Sequence, residues 1–220
     1  MINGDTLFFL VELIGTIAFA ISGAMIAIDR ELDLFGVIFL GGATACGGGI
    51  LRDILLGQIP PQSFIHPVYL TTAAVTSVLV FLCTWYNHKR AVPLKGINEA
   101  FLNFFDAMGL GIFAVIGVQN TMNAGYGDNM FFCVFLGMCT AVGGGMLRDM
   151  MSNAVPAIFR KHIYALPSII GAIFYYVLVP HGSALAIVSA TFLVVVLRMM
   201  AAAYQWSLPK IKADILPGQQ

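Results

Sequence analysis

Charge is scarce in this chain. Only 10% of its 220 residues are Asp, Glu, Lys or Arg, eleven acidic and eleven basic, against about 25% in an ordinary soluble domain. With no net charge, no basic tract and no stacking platform, the chain has no electrostatic footprint for nucleic acid. Cysteines number four (Cys46, Cys83, Cys133 and Cys139), and none forms a CxxC. All lie in apolar stretches, where they read as small buried hydrophobes and not as disulfides or metal ligands. The four histidines, His66, His88, His162 and His181, sit near the ends of apolar stretches without ligand spacing such as HExxH. No metal or cofactor is expected, and no nucleophile–base pair supports an enzyme. A basic leader is missing too: the first charges are Asp5 and Glu12, whereas a signal peptide opens with positive charge. The first apolar stretch is therefore expected to be retained.

What the chain has instead is apolar length. Hydrophobic residues make up 59% and the mean hydropathy is +0.88, the profile of an integral membrane protein. A spanning helix needs about 20 mostly apolar residues. Seven stretches qualify, at 6–28, 34–57, 67–86, 100–119, 129–153, 163–179 and 182–205. They are joined by short turns rich in Pro, Gly, Asn and Asp. Barrel strands would alternate polar and apolar residues over about 10 positions; these runs do not alternate, so an all-α membrane fold is expected. Outside the spans, Arg30, Lys89, Arg90, Lys95, Arg160, Lys161, Lys210 and Lys212 all fall on one side. The positive-inside rule makes that side the cytoplasm. The N-terminus is then outside, and residues 207–220 form a cytoplasmic tail.

Gly-Gly-Gly-x-x-Arg-Asp occurs twice, at Gly47–Asp53 and Gly143–Asp149, 96 residues apart. Each glycine in a helix costs about 1 kcal/mol relative to alanine, and a charge near the bilayer centre roughly 2.5–3.5 kcal/mol. Spending that twice at one spacing points to a site. The motifs belong to a longer self-similarity. Gly15, Phe19 and Gly23 match Gly109, Phe113 and Gly117; Gly41, Ala45 and Gly49 match Gly137, Ala141 and Gly145; Pro60 matches Pro156. The chain thus reads as one transmembrane domain over 1–206. Repeat one covers 6–90, repeat two 98–180, and an extra helix lies at 182–205. Three crossings per repeat is an odd number, so the second copy must enter from the opposite face, a plan typical of transport folds.

Two readings of the triplets stand side by side. Small residues at every fourth position, such as Gly41/Ala45/Gly49 and Gly137/Ala141/Gly145, let helices pack closely. Three glycines in a row also let the backbone bend or unwind, which is tolerated at depth only where it is buried or lines a wet cavity. The charges Glu12, Arg52, Asp53, Asp106, Arg148 and Asp149 are the other candidates. Their depths suggest the pairs Glu12 with Arg52 and Asp106 with Arg148, one toward each face, as structural bridges, as the walls of an ion path, or as both. Adjacent positions on a helix point about 100° apart, so each Arg is expected to diverge from the Asp that follows it.

The doubled GGGxxRD motif in a seven-span, two-repeat chain resembles the prokaryotic members of the trimeric intracellular cation (TRIC) channel family. The likeness extends to about residue 205. It implies a homotrimer in the prokaryotic inner membrane, each protomer with its own hourglass pore for monovalent cations, chiefly K⁺ with Na⁺. Spans one, two, four and five would line the pore, kinked at Gly47, Gly48, Gly49, Gly143, Gly144 and Gly145, with Arg52, Asp53, Arg148 and Asp149 beside the kinks. The Lys-Glu-Val motif and long charged tail of the eukaryotic members are not present in this sequence. The same bacterial domain also carries the label of a glycine transporter, so a carrier of a small solute is the second reading.

Overall fold

A computed structural model of the protein describes residues 4–89, 99–160 and 163–206. Arg90, Lys95, Lys161, His162, Lys210 and Lys212, the repeat boundaries at 90 and 98, and the tail at 207–220 lie outside the described residues. The regular elements among the described residues are helices, the longer and capping ones being α1 (Gly4–Asp29), α2 (Leu34–Leu55), α3 (Gln62–Ile65), α4 (Val68–Lys89), α5 (Glu99–Thr121), α6 (Met130–Met151), α7 (Ala157–Arg160), α8 (Ala165–Leu178) and α9 (Ser183–Ala203). Six helical stretches are long and apolar enough to cross a membrane: Thr6–Asp29, Leu34–Leu55, Val68–Asn87, Glu99–Tyr126, Met130–Met151 and Ser183–Ala203. The sixth expected span is helical over Ala165–His181 and is shorter than the six spanning helices. Its α-helix has 14 residues, about 21 Å at 1.5 Å per residue. Pro180 then shapes a 3₁₀ turn at Val179–His181.

Local chemistry starts and stops the long helices in the same way in both halves. Asp33 caps α2, its side chain accepting from the Gly36 amide at 2.8 Å. Asn129 caps α6, accepting from Phe132 at 3.0 Å. At the other end, the Gln58 amide donates to the Asp53 carbonyl and Gly57 to Ile54; Ala154 donates to Asp149 and Asn153 to Met150. Gly57 and Asn153 stand at φ 72° and 54°. Both helices thus close on a left-handed residue that satisfies their last carbonyls.

Four helices form the centre. α1 packs on α2, α5 on α6, and the pairs meet through α1 on α5 and α2 on α6; α4 covers α1 and α2, α8 covers α5 and α6, and α9 packs chiefly on α5 and α8. The core between them holds Phe19, Ala45, Leu110, Phe113, Ala141 and Val142. Large apolar side chains cover the outside, Phe35, Phe39, Phe131 and Phe135 among them, as a hydrocarbon surround requires. Cys46 and Cys133 are buried, Cys139 is half-buried, and Cys83 is exposed, because α4 is covered on one flank only.

The glycine triplets sit where α2 crosses α6, and both helices run as uninterrupted α-helix through them. The unwound turn expected there is absent, because the missing side chains are used for close approach. A methyl on Gly48 would collide with the Thr140 carbonyl oxygen, and one on Gly144 with the Thr44 carbonyl oxygen. One on Gly47 would stand 2.5 Å from Leu147 Cδ1, and one on Gly143 3.0 Å from Leu51 Cδ1. Gly23 and Gly117 press in the same manner on the Thr44 and Thr140 hydroxyls, at 2.5 and 2.7 Å. Gly49 differs: the nearest atom to its added methyl is Arg52 Nη2, 3.7 Å away.

A backbone carbonyl cannot rotate out of the way, so Gly48→Ala and Gly144→Ala should each destabilise the fold by about 1–3 kcal/mol or more through overpacking. Gly49→Ala should melt no lower than the parent, having gained helix propensity. Thermal unfolding in detergent separates them; a Gly48→Ala protein melting with the parent would refute this account of the crossing.

Candidate functional site

The helix ends beyond the triplets carry the charges. Arg52 is 3% exposed, Asp53 0%, Asp106 4%, Arg148 5% and Asp149 8%, while Glu12 is half-buried. Burial at that level requires each charge to be bound. At one end Arg52 donates Nε and Nη2 to Asp53 Oδ1, at 2.9 and 2.7 Å. At the other, Arg148 Nε and Nη2 both lie 2.9 Å from Asp149 Oδ1. The expected divergence of neighbouring side chains is therefore wrong here. Their Cβ vectors diverge, but the arginine stem is long enough to fold its guanidinium back.

The free oxygen of each aspartate then holds the chain that follows. Asp53 Oδ2 accepts from the Gln62 amide at 2.8 Å, and Asp149 Oδ2 from Ala157 at 2.7 Å. Those amides open α3 and α7, so each Arg-Asp unit ties a long helix to the short one after it. The capping carboxylate suits a helix N-terminus.

The two cross-helix pairs turn out differently. Arg148 Nη1 donates to Asp106 Oδ1 at 2.7 Å, as the sequence predicts, and also to Ser22 Oγ at 2.5 Å. Glu12 does not bridge to Arg52. Its Oε2 accepts from the Tyr69 hydroxyl at 2.7 Å, and Arg52 is committed to Asp53. Glu12 and Arg52 nonetheless line one cavity, with Thr16, Gly49, Ser63 and Tyr69. A second cavity, of about 220 Å³, is lined by Asp29, Arg30, Asn103, Asp106, Arg148, Asp149, Ser152 and Arg198. Along α1, Glu12 lies at the first cavity and Asp29 at the second, so the two open at opposite ends of the bundle. Between them stand Phe19 and Phe113, ring centroids 5.2 Å apart and 1% and 5% exposed.

Four participants were not anticipated. Ser22 looks like a small packing residue until it meets Arg148. Tyr69 and Tyr164 are separated by 95 residues, within one residue of the repeat spacing, and that could have revealed them. The Tyr164 hydroxyl would lie 2.7 Å from a methyl on Gly145, at the Asp106 end. Arg198, in the apolar run of α9, is 2% exposed; a lone arginine inside a span was its signal.

The chain is similar to known proteins over most of its length. The family described as "Glycine transporter" matches residues 9–85 and 103–180. A structure described as "Structural basis for conductance through TRIC cation channels" is 36% identical, covering 93% of this chain and 97% of that one, with TM-score 0.77. The chain belongs to the TRIC channel family. A second solved member, a prokaryotic TRIC channel in 0.5 M KCl, is 32% identical with TM-score 0.80, covering 92% of this chain and 98% of that one. Among curated TRIC-family relatives, the UPF0126 inner membrane protein YadS of Escherichia coli K12 is 37% identical over 202 residues, 90% of this chain and 91% of its own. The UPF0126 membrane protein of Deinococcus radiodurans is 36% identical over 197 residues, 89% of this chain and 87% of its own.

The ends should respond unequally to neutralisation. Asp106→Asn removes a buried partner of Arg148 and should destabilise by about 2–3 kcal/mol. Glu12→Gln keeps an acceptor for the Tyr69 hydroxyl and only turns a charge-assisted hydrogen bond into a neutral one, so it should cost about 1 kcal/mol or less. Chemical unfolding of both variants in the same detergent checks the order; equal losses would contradict the assigned partners.

Proposed function

We propose that the protein is a channel for monovalent cations, chiefly K⁺, with one hourglass path per protomer. The observation that carries it is the pair of charged cavities at opposite ends of the α2–α6 crossing, with Phe19 and Phe113 between them. Membership of a family with solved structures named as cation channels supports it. Arg52, Asp53, Glu12, Arg148, Asp149 and Asp106 form the walls of the two mouths. Each arginine is neutralised by at least one carboxylate, so it need not repel a cation from its mouth.

In this reading the described conformation is closed. The two phenylalanines form an apolar neck of the kind that gates by excluding water. Opening bends α2 and α6 at Gly47–Gly49 and Gly143–Gly145, where no side chain resists, and draws the rings apart. The ion is then met by side chains and water, since the helix carbonyls at the triplets remain within helical backbone.

The reciprocal contacts of Gly48 with Thr140 and Gly144 with Thr44 support two inverted three-helix repeats, with α9 as an addition. The basic residues on one side support an outside N-terminus and a cytoplasmic C-terminus. Solved TRIC relatives are named as trimeric channels, which supports a homotrimer in the inner membrane, its apolar exterior shared between lipid and neighbouring protomers.

The description of the matching family as a glycine transporter gives the second reading, a carrier. Purified protein in planar bilayers under a KCl gradient should show discrete unitary currents reversing near the K⁺ equilibrium potential. Saturable glycine uptake and counterflow without unitary steps would reject the channel in favour of the carrier.

A further inference from the structure

The charged residues of one repeat have counterparts in the other, one set at each end of the bundle. Glu12, Arg52, Asp53 and Tyr69 at one end correspond to Asp106, Arg148, Asp149 and Tyr164 at the other. The helix α9 belongs to neither repeat and packs chiefly on α5 and α8. It therefore brings Arg198 to the Asp106 end alone.

Arg198 is 2% exposed and among the largest fully buried side chains. Its guanidinium carbon stands 4.8 Å from the Tyr164 ring centroid, a cation–π contact. Its Nε and Nη1 are buried with no hydrogen-bond partner among the described residues. It lines the same cavity as Asp106, Arg148 and Asp149. Both of those carboxylates are already bound to Arg148, and Asp149 holds the Ala157 amide as well. Asp29 and Arg30, also on this cavity, offset each other. The Glu12 end thus carries one buried arginine for two carboxylates, and the Asp106 end two for two. An arginine is effectively always charged. In narrow cavities with low-dielectric walls, a difference of one charge between the ends acts strongly on the local ion concentration at each.

We propose that Arg198 is a selectivity-determining residue: a fixed positive charge that lowers cation occupancy at the Asp106 mouth and makes conduction unequal in the two directions. The inference rests on the channel reading. Cations entering through the Asp106 mouth start from a smaller pool than those entering at the net-negative Glu12 mouth, so current in that direction is the smaller. The effect is electrostatic and weakens as salt screens it, the Debye length falling from about 10 Å at 0.1 M to about 3 Å at 1 M.

The test uses the full chain in planar bilayers with equal KCl on both sides. Unitary currents at equal and opposite voltages should differ by roughly twofold at about 0.1 M KCl and converge at about 1 M. The size of that ratio does not depend on which way the protein inserts. Arg198→Gln should bring the ratio near one by raising the smaller current, while Arg198→Lys, which keeps the charge, should retain it. A purely structural role would change stability or open probability in both variants without equalising the currents. If Arg198→Gln does not reconstitute, the wild-type salt dependence and the Arg198→Lys ratio decide. Wild-type currents equal in both directions, a ratio independent of salt, or a ratio unchanged in Arg198→Gln would overturn this inference and leave the channel standing. The absence of unitary currents in the wild type would overturn both.

Discussion

Everything in this molecule is arranged around one contact: two helix backbones crossing with nothing between them at Gly48 and Gly144. Each glycine lies against the carbonyl oxygen of a threonine on the other helix, Thr140 and Thr44. In a bilayer the hydrophobic effect does not drive helices together, so van der Waals fit must do so. Close fit here requires glycine, and it requires it in reciprocal positions. The crossing fixes how far apart the ends of α2 and α6 lie, and with them the two Arg-Asp units. It also brings Phe19 and Phe113 into the small space between the ends.

The charges follow from that geometry. Each arginine sits one turn past its triplet, too deep to remain unbound, and a carboxylate is available on the next residue. Folding back onto that residue costs little side-chain entropy, because the partner is already held by the backbone amide of the following short helix. The same Arg-Asp unit therefore neutralises a charge, closes a helix end and lines a cavity. The ends differ in their third participant. Asp106 reaches Arg148 directly, whereas Glu12 is taken by Tyr69.

Much of this was legible in the residues. The apolar runs gave the long helices to within a few positions. The 96-residue spacing located both halves of the crossing and the charged residues beside it. Asp106 with Arg148 was readable from shared depth. Depth alone could not separate contact from proximity, and it failed for Glu12 and Arg52, where a tyrosine from α4 competes. The angular argument failed for Arg52 and Asp53 because it followed Cβ directions and neglected the length of the arginine stem. The helix expected at 163–179 is displaced by two residues, to Ala165–His181, because hydropathy does not register where a helix starts.

Composition and periodicity by themselves determined that the chain is a helical membrane protein with an internal repeat and that its costly residues cluster at two places. These are properties of single segments meeting lipid, and a segment carries them wherever it is placed. That the glycine triplets form the α2–α6 crossing was decided only in the tertiary structure, and so was which carboxylate each arginine holds. Likewise α9 brings Arg198 to one end alone only through its packing. Those outcomes depend on which side chain from another helix arrives first within hydrogen-bonding or van der Waals reach, and that is a property of the packed whole.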